Sequence, residues 1–170
     1  RTCEYLGFKV EIIDYNYPNS FHTPKKYAGH EDSQPNEPKW IKMLYALELI
    51  KQHKGIEDFV TNFQKLSSKQ YNHPSALEND VPQYDVYITG SDQLWNPRHC
   101  NGDPAFFLHF APDNALKISY AASIGANYIP EELKPQYKEL LGRYAHISVR
   151  ENSGVQVVQD VASKKATVVL

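Results

Sequence analysis

The second half of the chain alternates short apolar segments with stretches of helical periodicity, and this alternation constrains the fold more than any other feature. The apolar segments, rich in β-branched residues, occupy positions 85–90, 117–125, 146–150 and 166–170. Two stretches between the last three, PEELKPQYKELLGRY and ENSGVQVVQDVA, repeat apolar residues at the spacing of a helix. This order predicts a parallel sheet with right-handed crossovers. We therefore predict an α/β fold, a Rossmann-like parallel sheet with flanking helices.

The first half predicts one strand, two helices and a long loop. Arg1–Leu6 followed by Gly7 is typical of the last turn of a helix, and a strand follows it. Residues 16–38, rich in proline and asparagine without apolar periodicity, predict a long surface loop. KWIKMLYALELIKQH predicts a helix, and a second helix is predicted to begin at Gly55. The predicted strands of the whole chain are Lys9–Asp14, Val86–Thr89, Ile118–Ala121, Ile147–Val149 and Thr167–Val169.

Composition argues against several classes of protein. The 170 residues suffice for one domain with a substantial core. The 18 basic and 20 acidic residues are interspersed and give a net charge of −2, which offers no broad attraction to nucleic acid or anionic membranes. Cys3 and Cys100 lie far apart, which favours a reducing compartment. Because no apolar run reaches the roughly 18 residues of a membrane span, we expect a cytoplasmic protein that binds no nucleic acid.

Motifs for common cofactors and nucleophiles are weak. Asp14 ends a strand as the ribose-binding acid of a dinucleotide fold does, but the sequence contains neither G-x-G-x-x-G nor G-x-x-x-x-G-K-[ST]. His99 and Cys100 are adjacent without further ligands at a helical or hairpin spacing, so we predict no metal site and no cofactor. The serines considered as nucleophiles, all outside a G-x-S-x-G motif, are Ser91, Ser119 and Ser123.

Polar side chains cluster directly after the strand DVYI, in the segment TGSDQLWNP. Ligands of parallel sheets collect at the carboxyl ends of strands. We therefore expect Gly90–Asn96, Ser123–Asn127 and Arg150–Ser153 to line one cleft. An aromatic ring beside acid and amide groups is typical of sugar binding, although a lid over the sheet edge is an equal alternative for Trp95. The sugar-binding candidates are Ser91, Asp92, Gln93, Trp95 and Asn96.

Arg150 closes a predicted strand just before a predicted helix, and two interpretations of it stay open. The first is a surface ion pair with Glu151 or with another acid at the start of the helix, worth about 0 to 1 kcal/mol. The second is an anion clamp, since a guanidinium at a strand end matches a phosphate or carboxylate with two parallel hydrogen bonds.

Four segments, DVYITGSDQLWNP, FFLHFAP, KISYAASIG and ISVRENSG, resemble in their order and spacing the polysaccharide pyruvyl transferase family. The resemblance extends from about Tyr5 to Leu170. It implies a bacterial enzyme that moves an enolpyruvyl unit from phosphoenolpyruvate to a sugar, usually as a cyclic pyruvate ketal, in surface polysaccharide biosynthesis. It also implies a fold similar to the N-terminal half of two-domain GT-B enzymes. We therefore expect residues 1–170 to form a single Rossmann-like domain, truncated at both ends and inactive without its own C-terminal domain.

The resemblance also implies roles for the residues after the strands. Arg150 and Ser123 would contact the donor, phosphoenolpyruvate, and Asp92 would accept a proton from the acceptor, a sugar or lipid-linked oligosaccharide. Trp95 would stack on that sugar, and the side chains implied to orient it are Ser91, Gln93 and Asn96. Two alternatives stay open: a GT-B glycosyltransferase domain that uses a nucleotide sugar, and a non-catalytic carbohydrate-binding module.

Overall fold

The computed structural model describes residues 2–16, 39–100 and 102–169. The chain divides into two compact units, Arg1–His73 and Pro74–Leu170. Nearly all of the surface loop predicted at residues 16–38 lies outside the described residues. That residues 1–170 form a single domain stays a prediction. Within the described ranges, no helix has both the length and the apolar character needed to cross a lipid bilayer.

The described residues of the first unit, 2–16 and 39–73, form two helices and two parallel strands. Helix α1, Thr2–Tyr5, ends before Gly7, whose φ of 88° is the left-handed conformation expected just after a helix. Strand β1, Ile12–Tyr15, pairs in parallel with β2, Leu66–Tyr71. The long helix α2, Lys39–Phe63, lies between the two strands in the chain order. The helix turn predicted before Gly7 is confirmed.

For this unit, one sequence prediction is wrong, one strand was not predicted, and one predicted strand is confirmed in part. The two helices predicted on either side of Gly55 are one continuous helix, because a glycine inside a helix costs only about 1 kcal/mol and does not force an end. Strand β2 was not predicted because its sequence, LSSKQY, exposes three consecutive polar residues and lacks an apolar run. The predicted strand Lys9–Asp14 is confirmed in part, since β1 begins only at Ile12.

The described residues of the second unit, 74–100 and 102–169, form four parallel strands. Strand β3 pairs in parallel with β4, and β5 with β6. Single parallel bridges, Ile118 to His146 and Ala122 to Val149, join β4 to β5. The predicted parallel pairing of the last three strands is therefore confirmed. These strands are β3, Val86–Thr89; β4, Leu116–Ser119; β5, Ser148–Val149; and β6, Thr167–Val168.

Helices connect the strands of this unit as the periodicity predicted. A short helix α3, Pro74–Asn79, precedes β3, and a 3₁₀ turn at Pro104–Phe107 lies between β3 and β4. A second 3₁₀ turn, Glu131–Leu133, leads into helix α4, Lys134–Gly142, which connects β4 to β5. Helix α5, Asn152–Ala162, connects β5 to β6 and buries Gly154, Val157 and Val158. The two β-α-β connections place the ends of successive strands at one edge of the sheet.

Two serine hydroxyls supplement the backbone bonds between β4 and β5. The Ser119 Oγ donates to the Ser148 carbonyl oxygen at 2.9 Å, and the Ser148 Oγ donates to the Ser119 carbonyl oxygen at 2.8 Å. The Ser148 Oγ also accepts from the amide of Ala121, 3.0 Å away, where the backbone turns through a φ of 52°. These bonds fix the direction in which the chain leaves β4, and so position the loop that follows it.

Candidate active site

Three segments that follow strands are bonded to one another. They are the β3 loop (residues 90–97), the β4 loop (residues 120–128) and the β5 turn (Arg150 and Glu151). The Trp95 amide donates to the Ser123 carbonyl at 3.2 Å, and the Ser123 amide donates to the Asp92 carbonyl at 3.0 Å. The Arg150 Nη1 donates to the Ser91 carbonyl at 3.0 Å. The three segments predicted to line one cleft are therefore in contact with one another, and the cleft itself stays a prediction.

Gly125 of the β4 loop lies against side chains of the β3 loop. Its φ is 60°, a region that favours glycine. A Cβ placed on Gly125 would lie 2.8 Å from the Asn96 Nδ2 and 2.9 Å from the Gln93 Oε1. The two amides are themselves joined, because the Asn96 Nδ2 donates to the Gln93 Oε1 at 2.9 Å. Glycine is therefore favoured here by the backbone conformation, and a Cβ would displace the two side-chain amides.

Trp95 does not fit the predicted role of a sugar platform. Its side chain is 0% exposed. One ring face stacks on Phe107, with centroids 5.5 Å apart and planes inclined by 8°, and Tyr144 packs against the ring edge-on at 5.4 Å. The indole Nε1 donates to the Phe106 carbonyl at 3.2 Å. Aromatic rings on the face and at the edge and a satisfied N–H make Trp95 a core residue that anchors the β3 loop.

Asn96 and Ser123 are also occupied within the protein. Asn96 is 3% exposed, and its Oδ1 accepts from the Arg98 amide at 2.9 Å while its Nδ2 holds Gln93. Ser123 is 2% exposed, and its hydroxyl donates to the Glu151 Oε1 at 3.2 Å. Direct contact with a sugar or a donor, predicted from the sequence, does not fit this burial. Both residues instead hold their neighbours in place.

Ser91, Asp92 and Gln93 remain as accessible polar side chains of the β3 loop. Ser91 and Asp92 are exposed, and Gln93 is half-buried. The Asp92 Oδ1 accepts from the amide of Gln93 at 2.7 Å, which fixes the direction of the carboxylate. An exposed carboxylate in a fixed orientation next to an amide is a group that can accept protons and hydrogen bonds from a ligand.

Arg150 has an exposed side chain at the end of β5. A guanidinium has five N–H groups, and toward the described part of the chain Arg150 donates through Nη1 to the Ser91 carbonyl. Among the described residues, no ion pair joins Arg150 to Glu151, because the Glu151 carboxylate faces the β4 loop instead. The predicted ion pair with Glu151 is therefore absent among the described residues. The other N–H groups of the Arg150 guanidinium can bind an anion at this edge.

Sequence reasoning missed Glu151. Its Oε1 accepts from the Ser123 hydroxyl at 3.2 Å, the Ile124 amide at 2.8 Å and the Gly125 amide at 3.0 Å. The sequence did contain a signal, an acid directly after the end of a strand. The sequence analysis treated Glu151 only as an ion-pair partner of Arg150, because the two residues are adjacent in the chain. The true partners lie more than 25 residues away.

Cys100 is buried against the β3 loop, and its thiol has low reactivity. Burial, and then the charges of Asp103 and Asp92, raise the pKa of its thiol from 9.0 to about 11. The thiol donates to the Gln93 carbonyl at 3.4 Å. A protonated, buried thiol is a poor nucleophile and a poor metal ligand. No group of three or more His, Cys, Asp and Glu side chains arranged to hold a metal occurs in the part of the chain that the structure describes.

Comparison with known proteins gives one result. The sequence model of a family described as polysaccharide pyruvyl transferase matches residues 1–170, which is every residue of the chain. No curated protein and no solved structure matches the chain. The matched range includes the β3 loop, the β4 loop and the β5 turn.

Proposed function

We propose, because the chain belongs to the polysaccharide pyruvyl transferase family, that it forms part of an enzyme that transfers a pyruvate group from phosphoenolpyruvate to a pair of sugar hydroxyls. Family membership implies pyruvyl transfer to a polysaccharide acceptor in general. The identity of the donor and the formation of a ketal are our proposal. The observation that carries it is the exposed Arg150, held by Ser91 at the edge where three loops meet.

The donor fits Arg150 by charge and by shape. Phosphoenolpyruvate carries a phosphate and a carboxylate, and a planar guanidinium binds either one with two parallel hydrogen bonds. The bond from Nη1 to the Ser91 carbonyl fixes the plane of the group, so that less side-chain entropy is lost when the anion binds. Arg150 is therefore proposed as the donor-binding residue and as the group that stabilises charge on the departing phosphate.

The acceptor fits the exposed part of the β3 loop. Asp92 is proposed to accept the proton of an acceptor hydroxyl, with Ser91 and Gln93 bonding to neighbouring hydroxyls. Asn96 acts through Gln93, whose Oε1 it binds at 2.9 Å. Ser123 is proposed to act through Glu151 instead of contacting the donor. Trp95 fixes the loop from beneath and touches no sugar.

The proposed reaction is balanced without a further reactant. The enol methylene carbon gains a proton and becomes a methyl group, and the neighbouring carbon forms two C–O bonds to the acceptor. The C–O bond to phosphate breaks, and phosphate leaves with the electron pair. The two acceptor hydroxyls supply the two protons, one of which ends on the methyl carbon and the other on phosphate. Asp92 carries one of these protons during the transfer.

The proposal includes a wider setting. The sheet is proposed to be part of a Rossmann-like domain similar to the N-terminal half of a GT-B enzyme, with a C-terminal domain that completes donor binding. The proposed location is the cytoplasm, where phosphoenolpyruvate is formed. The proposed acceptor is a sugar or lipid-linked oligosaccharide of a bacterial surface polysaccharide.

A donor comparison tests the function. The full-length protein is incubated with a panel of lipid-linked and nitrophenyl sugars and either phosphoenolpyruvate or nucleotide sugars. We expect acceptor-dependent phosphate release from phosphoenolpyruvate, and a product heavier than the acceptor by one pyruvate less one water. Release of nucleotide from a nucleotide sugar would identify a glycosyltransferase instead. Sugar binding without turnover of either donor would identify a binding module.

A further inference from the structure

We propose that Glu151 is a positioning residue that sets the geometry of both Arg150 and the β4 loop, an inference that rests on the proposed function. Its carboxylate oxygen Oε1 accepts three hydrogen bonds from consecutive residues of the β4 loop, namely Ser123, Ile124 and Gly125. Two of the three donors are backbone amides. A single oxygen therefore fixes the path of the loop over three residues.

The same bonds reach the β3 loop indirectly. The Ser123 backbone is bonded in both directions to the β3 loop, through its amide to Asp92 and through its carbonyl to Trp95. Gly125 lies against the amides of Gln93 and Asn96. A shift of the β4 loop therefore moves the backbone of the proposed base and the side chain of Gln93 together.

Arg150 is coupled to Glu151 through the chain itself. The two residues are adjacent, with Arg150 bonded to the β3 loop and Glu151 to the β4 loop. The Arg150 amide donates to the Ala122 carbonyl at 3.1 Å, which ties the turn to the β4 loop a second time. The Glu151 backbone begins helix α5, whose first turn is closed by the bond from the Gly154 amide to the Glu151 carbonyl. Glu151 thus joins the start of α5 to the β4 loop, next to the Arg150 that is bonded to the β3 loop.

Two substitutions of Glu151 separate the effect of its charge from the effect of its hydrogen bonds. Glu151→Ala removes the acceptor of all three bonds. Glu151→Gln keeps an oxygen in the same position without the charge, and bonds to an ionised acceptor are about twice as strong as bonds to a neutral one. We expect Glu151→Ala to lower kcat/KM for phosphoenolpyruvate by about 10-fold to 100-fold, because small misplacements of catalytic groups have effects of this size. Glu151→Gln is expected to retain activity within about 10-fold of wild type. The matched control is Glu139→Ala, an exposed acid on α4, which should change nothing.

Two readouts distinguish positioning from a general loss of structure. Amide hydrogen exchange should accelerate at Ile124 and Gly125 in Glu151→Ala but not at Ile118 of β4, even though the loss of three hydrogen bonds lowers the melting temperature. In a double-mutant cycle, Glu151→Ala should add little to the effect of Arg150→Lys, because the two act on the same contact.

The outcomes separate this proposal from the proposed function. Unchanged exchange at Ile124 and Gly125 would overturn the positioning role, and so would normal kinetics in Glu151→Ala or effects that simply add to those of Arg150→Lys. Failure of the proposed function would show instead as no phosphate release by the wild-type protein. In that case the exchange experiment alone decides whether Glu151 holds the loops: acceleration supports the role and unchanged exchange overturns it.

Discussion

Replacing Trp95 by phenylalanine tests whether this residue belongs to the core or to the sugar site. The indole is 0% exposed, stacks on Phe107 and meets Tyr144 edge-on. The Tyr137 hydroxyl also donates to the Trp95 carbonyl at 3.0 Å, so the residue is held through its backbone as well. Phenylalanine keeps one ring on Phe107 but removes the second ring and the N–H.

The structure sets the size of the effect. Loss of the bond from Nε1 to the Phe106 carbonyl removes about 1 kcal/mol, and not more, because that carbonyl still accepts from the Thr89 hydroxyl at 2.9 Å. The space left by the smaller side chain adds about 1 to 2 kcal/mol. The sum, about 2 to 3 kcal/mol, corresponds to a fall of about 4 to 12 °C in melting temperature for a protein of this size.

Thermal unfolding followed by circular dichroism measures the stability, and acceptor KM is measured on the full-length protein. The matched control is Trp40→Phe, since Trp40 is 64% exposed and its replacement should shift the free energy of unfolding by less than about 0.5 kcal/mol. We expect Trp95→Phe to lower the melting temperature and to leave the acceptor KM near wild type. An unchanged melting temperature together with a raised acceptor KM would refute the core assignment and restore the sugar platform.

Two further predictions follow from the loops and from burial. Gly125→Ala should destabilise the protein by about 1 to 3 kcal/mol, because Gly125 has a positive φ, and it should raise the acceptor KM by displacing Gln93. The control is Gly142→Ala, whose Cβ would meet nothing within 4 Å. Equal effects of the two substitutions would contradict this reasoning. The Cys100 pKa of about 11 in the folded protein, against 9.0 ordinarily, means that the unfolded state releases this proton first. The stability that the protonated Cys100 thiol contributes is therefore complete below pH 9 and is lost as the pH rises toward 11. The melting temperature should fall more steeply over that interval in wild type than in Cys100→Ala. Parallel curves for the two proteins would contradict this prediction.

The parallel strands of the second unit could be predicted because each has a strong local signal. Val86–Thr89 was predicted with its observed bounds, since a short apolar run ends there at a glycine. Strand β2 has no such signal, because its sequence LSSKQY lacks an apolar run, although it pairs in parallel with β1. Gly55 was a misleading signal, because the cost of one glycine is small against the bonds of a long helix.

The grouping of the three loops was predicted, but the contacts of their individual side chains were not. The carboxyl ends of parallel strands meet at one edge by geometry, so the grouping of the loops followed from the strand order. Whether Trp95 faces solvent depends on Phe107, Tyr137 and Tyr144, which lie 12, 42 and 49 positions further along the chain. Contacts over such distances leave no periodic pattern, and the same holds for the bonds of Glu151.

The most direct test of the proposed function is the steady-state kinetics of Arg150→Lys with phosphoenolpyruvate. Lysine keeps the charge but loses the planar pair of donors. We predict that kcat/KM falls by about 10-fold to 1,000-fold with an unchanged melting temperature. Arg143→Lys is the control, because Arg143 binds the His109 and Ala111 carbonyls away from the three loops, and it should affect stability without affecting kcat/KM. Near-wild-type kinetics in Arg150→Lys would contradict the account and remove Arg150 from the site.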